Sequence, residues 1–362
     1  MKIQIVADHG TSQSAWTKAP ADVATIAERL GFVRVAAGRF RLGNFSFIRR
    51  VLRKLHLEHS FDRICWKLEL ISLRRMFGKT GGELLLQHPL PGCWTFDLKN
   101  FTELQRFKNI GVAITVIVHD VGFMRGSSSD VGGRSDSARE LRVFSAADKL
   151  IVHNERMREL LSAAGISRGK MVPLGVFDYL MPSGFVPRSL TFDGSVIVAG
   201  ALGAGKSKYI EHLRQIIGVK WKLYGPNYDP IRIKGENVVY CGCYQPDEVP
   251  LRLNGAFGLV WDGDSVSSCT GATGTYLKYN NPHKLSLYLA CGIPVIVWKE
   301  SAVATLVEDN GIGICVQSLT EIPEILRGMT KVNYAEMQNE VARFGERLRN
   351  GLSMEMALKA RV

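Results

Sequence analysis

Residues 257–313 read FGLVWDGDSVSSCTGATGTYLKYNNPHKLSLYLACGIPVIVWKESAVATLVEDNGIG, and this stretch decides the fold. It opens with a short apolar run, Phe257, Gly258, Leu259, Val260 and Trp261, stopped by Asp262, Gly263 and Asp264. A run of that length between turn formers suits a strand buried on both faces. A loop of small polar residues follows. Pro282 then stands where a first helical residue belongs, Leu285, Leu289 and Ala290 recur at helical spacing, and Gly292 stops them. Residues 294–297 are the next strand, 302–308 a short helix, and 311–314 turn into another strand. Strand, loop, helix, strand is the unit of an open parallel sheet, whose ligands bind beyond the carboxyl ends of the strands. His283 and Lys284 open the helix at that end, and a helix N-terminus favours an anion. Helix electrostatics alone would select an acid there, so Lys284 reads as a phosphate contact rather than a solvated surface lysine.

Upstream, residues 195–199 form a strand that runs into GALGAGKS, Gly200 through Ser207. These eight residues fit the phosphate-loop pattern GxxxxGK[ST] in its strand–loop–helix context. Two readings follow. The loop is a diphosphate cradle using Gly200, Lys206 and Ser207, or it belongs to an ATP- or GTP-using enzyme with Asp262 as the magnesium-side acid. The motif lies behind a complete α/β series, whereas phosphate-loop domains commonly begin with it, which favours the cradle. Residues 209–217 read as a helix, 220–224 and 238–240 as strands, 246–254 as a helix and 332–352 as a long terminal helix. Asp262 and Asp264 read as turn formers rather than a metal pair.

The first half repeats the pattern. Residues 2–7 form a strand leading to a hydroxyl-rich turn with Asp8, His9, Thr11 and Ser12, a ligand loop without the GxGxxG spacing of a dinucleotide site. Residues 113–118 are its strongest strand and deliver His119 and Asp120 to the same edge. A glycine-, serine- and aspartate-rich loop, 122–136, reads as a mobile active-site loop. Two prolines and a glycine within residues 182–193 make 182–194 the hinge. The chain therefore divides into residues 1–181, the hinge, 195–335 and a terminal helix, 336–362. That is α/β architecture with two Rossmann-like domains whose parallel sheets face each other across a cleft.

At 362 residues, 46% hydrophobic, the chain has enough sequence for two cores. No run approaches the roughly 18 apolar residues of a membrane span. The first residues are a strand without a signal-peptide core, so a cytoplasmic location is expected. Seven scattered cysteines fit reduced core thiols and not a zinc site. The net charge is +12, and residues 34–79 hold twelve Lys and Arg against three acids, nine of those twelve charges. Interleaved with Phe45, Phe47, Ile48, Val51, Leu52 and Leu55, residues 39–79 read as a basic amphipathic segment for an anionic membrane surface, ahead of a solvated helix face. No nucleic-acid motif accompanies the charge.

Tyr244-Gln245-Pro246-Asp247-Glu248, FGLVWDGDS, His283-Lys284-Leu285 with LACGIPVIV, and LVEDNGIG occur in an order that resembles GT-B glycosyltransferases. The likeness is strongest to the bacterial branch with protein-O-GlcNAc glucosyltransferases and β-1,6-galactofuranosyltransferases. The resemblance implies transfer of a hexose from a UDP-sugar to a glycan acceptor, lipid-linked in surface polysaccharide assembly, with no cofactor and no bound metal. It matches Gly200 and Lys206 to the family's diphosphate loop and His119-Asp120 to its general base. Glu308 is then a candidate for the ribose hydroxyls, and Tyr224, Asn227 and Tyr244 for the uracil. Glu300 and Glu308 have the E-x7-E interval of retaining relatives but follow the Gly292-Ile293-Pro294 turn instead of preceding it, so an inverting reaction is expected. A binding protein on the same fold is the non-enzyme alternative. A homo-oligomer is compatible with the sequence.

Overall fold

The computed structural model describes residues 1–6, 15–37, 54, 58–78, 80–89, 102–125, 133–187 and 191–362. The loop with Asp8, His9, Thr11 and Ser12 lies outside the described residues, as do 38–53, 55–57 and 79 of the basic segment and 126–132 of the glycine-rich loop.

Strands β1 (Lys2–Val6), β2 (Val33–Ala36), β3 (Gly82–His88), β4 (Val112–Val118), β5 (Lys149–Val152) and β6 (Met171–Pro173) form one six-stranded sheet in the order β2-β1-β3-β4-β5-β6. Strands β7 (Ser195–Ala199), β8 (Lys220–Tyr224), β9 (Val238–Tyr240), β10 (Phe257–Val260), β11 (Val295–Trp298) and β12 (Gly313–Val316) form the other, in the order β12-β11-β10-β7-β8-β9. Every neighbouring pair is parallel. Continuous apolar runs produce this result: β7, β10 and β11 are buried at every residue, as strands covered by helices on both faces must be. The second sheet changes winding direction between β7 and β10. Loops after those two strands diverge there and leave a crevice, where ligands of doubly wound sheets bind.

Three expected helices differ in detail. The segment after Ser207 is a 3-10 helix, Lys208–Gln215, because the Tyr209 amide donates to Gly263 at 3.2 Å instead of to the preceding turn. Residues 246–254 supply only a short helix, Val249–Arg252. The terminal helix Lys331–Asn350 is capped by Thr330 and stops at Gly351, whose φ of +82° suits glycine. A second helix, Leu352–Lys359, follows, and the Asp178 carboxylate accepts its Ser353 and Met354 amides. Met354, Ala357 and Leu358 pack with Val23, Ile26 and Ala27 of α1 (Ala15–Arg29), so the end of the chain rests on the first half.

Candidate active site

The site is built at the point where the second sheet changes direction. The chain leaves β7 at Gly200 with φ +135°, and a Cβ placed on Gly225, after β8, would lie 1.9 Å from the Gly200 carbonyl oxygen. Only glycine permits the two loops to meet backbone to backbone. Gly203 then starts α2 (Ala204–Ser207), and the Lys206 carbonyl accepts the Gly263 amide at 3.1 Å and the Thr273 hydroxyl at 3.3 Å. These bonds tie the loop after β7 to the loop after β10.

At the end of β10 stands Asp262, a buried carboxylate. Lys284 is the second residue of α3 (His283–Ala290), and its Nζ donates to Asp262 Oδ1 at 2.8 Å and to the Trp261 carbonyl at 2.9 Å. Lys206 Nζ lies 3.7 Å from Asp262 Oδ2. Burial draws the Lys284 ammonium below the ordinary lysine range, and the Asp262 charge opposes that fall. The two lysines thus converge, as the glycine loop and the helix start anticipate. The Asp262 carboxylate stands between the two ammonium groups, a partner that the expectation of both lysines meeting one pyrophosphate did not include. Lys206 remains 41% exposed and Lys284 only 11%, so of these two ammonium groups Lys206 is the more open to solvent.

The other donor-side candidates spread further. Ser207 is buried and its hydroxyl donates to the Ala201 carbonyl at 3.0 Å, unlike a serine holding magnesium beside a nucleotide. Its helix is a single turn that runs on into the 3-10 helix Lys208–Gln215, and nothing in the geometry favours the NTPase alternative. Tyr224 is packed in the core, where burial and the neighbouring Cys241 raise its phenol's pKa. Tyr244 donates to the Cys241 carbonyl at 2.8 Å, with Arg252 over its ring. His283 is stacked on Tyr179 at 5.0 Å, and burial, then the charge of Lys18, push it down to about 4, so it contributes no cation. Glu308 is exposed in the helix Ala304–Asp309 and meets the Cys315 thiol on β12, the outermost strand on that side.

At the carboxyl edge of the first sheet, His119 Nε2 lies 2.6 Å from Gln87 Oε1, and its ring stacks on Phe177 at 5.3 Å. Asp120 is buried and accepts the Val121 amide at 3.1 Å. Glu140 holds the next turn: it accepts the Gly122 amide at 2.9 Å and the Phe123 amide at 3.2 Å, and pairs with His88 Nε2 at 3.0 Å. Burial works against its charge, yet these hydrogen bonds keep its carboxyl below the usual range.

The two edges meet. The Tyr276 hydroxyl accepts the same Val121 amide at 3.1 Å, next to Asp120. Asn281 donates from its amide to His153 Nδ1 at 2.8 Å and from its side chain to the His153 and Gly175 carbonyls, while Asn154 donates to Asn281 Oδ1 at 2.7 Å. Lys18 pairs with Asp22 at 2.7 Å and with Asp247 of the second half at 3.1 Å. Sequence reading missed these seam residues. Asn281 stands beside Pro282 in the deciding stretch and was within reach; nothing local marks Lys18 or Tyr276.

Family models described as "Glucosyltransferase 3-like, N-terminal domain" and "Glucosyltransferase 3-like, C-terminal domain" match residues 2–176 and 196–361. The chain belongs to the glucosyltransferase 3-like family. Its relatives include the beta-1,6-galactofuranosyltransferase WbbI of Escherichia coli K12, 35% identical over 272 residues, which are 74% of this chain and 75% of that one. Glucosyltransferase 3 of Streptococcus gordonii is 29% identical over 58% of this chain and 60% of its own. Among solved structures, Anabaena HepE in complex with UDP superposes with a TM-score of 0.61 at 13% identity, covering 99% of this chain and 98% of that one. A sucrose-phosphate synthase of Thermosynechococcus elongatus gives 0.59 at 13% identity, covering 99% and 97%. This glucosyltransferase 3-like chain has the GT-B fold and is a glycosyltransferase.

Proposed function

We propose that the protein transfers a hexose (glucose, galactose or galactofuranose) from a UDP-sugar to a glycan hydroxyl in surface polysaccharide or glycoprotein glycan assembly, with inversion and without a bound metal. The observation that carries this is the half-exposed Lys206 ammonium on a glycine loop at the direction change of the second sheet. A cation there neutralises charge as the diphosphate departs. The naming of WbbI as a galactofuranosyltransferase supports a hexose, and the UDP bound in HepE supports a uridine donor. Both Asp262 oxygens face ammonium groups, which supports a metal-free site.

In the reaction, the acceptor oxygen attacks the anomeric carbon as the bond from that carbon to the β-phosphate oxygen breaks. UDP leaves with the bonding pair, and the hydroxyl proton passes to Asp120. Asp120 stands on the facing edge, beside a turn held rigidly by Glu140. Calorimetry with UDP, GDP and ADP, followed by transfer assays with UDP-hexoses and analysis of the product anomer, tests the proposal. UDP should bind best and the anomeric configuration should invert. Failure to bind UDP at millimolar concentration sinks the donor, and a retained configuration sinks Asp120 as base.

Peripheral contact with anionic lipid belongs to the same proposal. Among the described residues no helix is long and apolar enough to cross a membrane. The helix Glu58–Phe77 buries Leu70, Leu73 and Phe77 but exposes Ile64, Leu68 and Ile71 at spacing i, i+4, i+7, beside exposed Lys67 and Arg75. Sedimentation with anionic vesicles, lost at high salt, is the expected result; no pelleting with such vesicles would exclude it.

A further inference from the structure

We infer that Asp262 is a positioning residue that turns Lys284 away from the donor and leaves Lys206 as the cation meeting its diphosphate, so the site offers one net positive charge instead of two. The inference rests on the UDP-sugar reading above.

Three observations carry it. Lys284 directs two of its three donors inward, to Asp262 Oδ1 and the Trp261 carbonyl, and is nearly closed to solvent. Lys206 is much more open and sits at the looser distance of 3.7 Å from the other carboxylate oxygen, free to swing toward a ligand. Its backbone is fixed independently of its side chain, by Gly263 beside Asp262 and by Thr273 in the helix Gly271–Tyr276. The turn after β10 therefore holds the Lys206 backbone and also carries the carboxylate that both ammonium groups face. Two ammonium groups and one carboxylate leave a single positive charge. Were both lysines aimed at the diphosphate without a counter-charge, the product would be held as firmly as the transition state, and such uniform binding does not raise turnover.

The test is competitive titration of UDP and of uncharged uridine into the full chain, with steady-state transfer alongside. Asp262→Asn keeps an acceptor for Lys284 but removes the negative charge. It is expected to tighten UDP about tenfold, as one charge at this range does in a partly buried site, to leave uridine within about twofold, and to lower kcat through slow UDP release. Asp262→Asn combined with Lys284→Gln removes both buried charges together, which leaves neither unpaired, and should return UDP affinity to within about threefold of wild type. Asp262→Glu should stay near wild type in UDP affinity.

If Asp262→Asn weakens UDP and uridine alike, the residue is merely structural and the inference fails. Loss of UDP affinity in the double variant would make Lys284 itself a phosphate ligand and overturn it as well. Weaker UDP-sugar with unchanged UDP would instead make Asp262 a sugar contact. Absence of UDP binding in the wild type is a different outcome, which removes the donor reading itself.

Discussion

At the carboxyl edge of the second sheet, Lys206 and Lys284 face a single carboxylate and one of them remains open to solvent. At the same edge of the first sheet, His119 faces Gln87, His88 faces Glu140, and Asp120 closes its own turn. Both edges are made alike, from apolar parallel strands that end in short polar turns. The chemistry they present differs in sign. The second has a cation in reach of a ligand, which suits a diphosphate. The first presents imidazole and carboxylate groups among hydrogen bonds, which suits a polyhydroxyl acceptor and proton removal. On the proposed function, the difference between the two edges lies in a few side chains at matching positions, not in the sheets.

The contrast breaks most plainly at Lys206. Lys206→Ala should lower kcat/KM for transfer by about 10²–10³-fold, with a parallel loss of UDP affinity; a change below tenfold would remove Lys206 from the donor site. Asp120→Asn probes the opposite edge. It should depress kcat by roughly 10²-fold or more while calorimetry finds UDP affinity within about twofold of wild type. A joint loss of UDP affinity would mean that the two edges are not separate in function.

A smaller effect comes from the seam between them. The His283 pKa in the folded chain is about 4, below its ordinary 6.5. As pH falls from 6.5 toward 4 the unfolded chain takes up the proton first, so stability present above 6.5 is lost by up to about 3 kcal/mol. Asp22 acts in the opposite sense, since burial raises it to about 6. The measurement is therefore the melting temperature of the wild type minus that of His283→Gln, which should fall over this window. A flat difference would show that His283 titrates alike in the folded and unfolded chain. Smallest of all is Ser207→Ala. With its hydroxyl spent on Ala201, the variant should bind UDP within about twofold of wild type, and a large loss would revive the serine as a ligand contact.

Much of the architecture was legible because it is written locally. Continuous apolar runs such as Phe257 through Trp261, the glycine turns and Pro282 each state their element within a few residues, and the strand–helix alternation states the two-domain class. Lys206 and Lys284 were legible for the same reason, as basic residues on a loop and a helix start. The helix ends were less so: Gly351 splits the terminal helix, and the Gly263 carbonyl draws Tyr209 into a tighter turn.

The sequence by itself determined which elements form, where the glycine loop lies and that its lysines stand at a sheet edge. Only the tertiary structure decided what those lysines face. Asp262 meets Lys206 because β10 lies beside β7 although 56 residues separate the two side chains, and Asn281 reaches His153 across 128. Strand order brings such groups together, and it follows from the packing of whole helices and sheets, which no local pattern of residues contains.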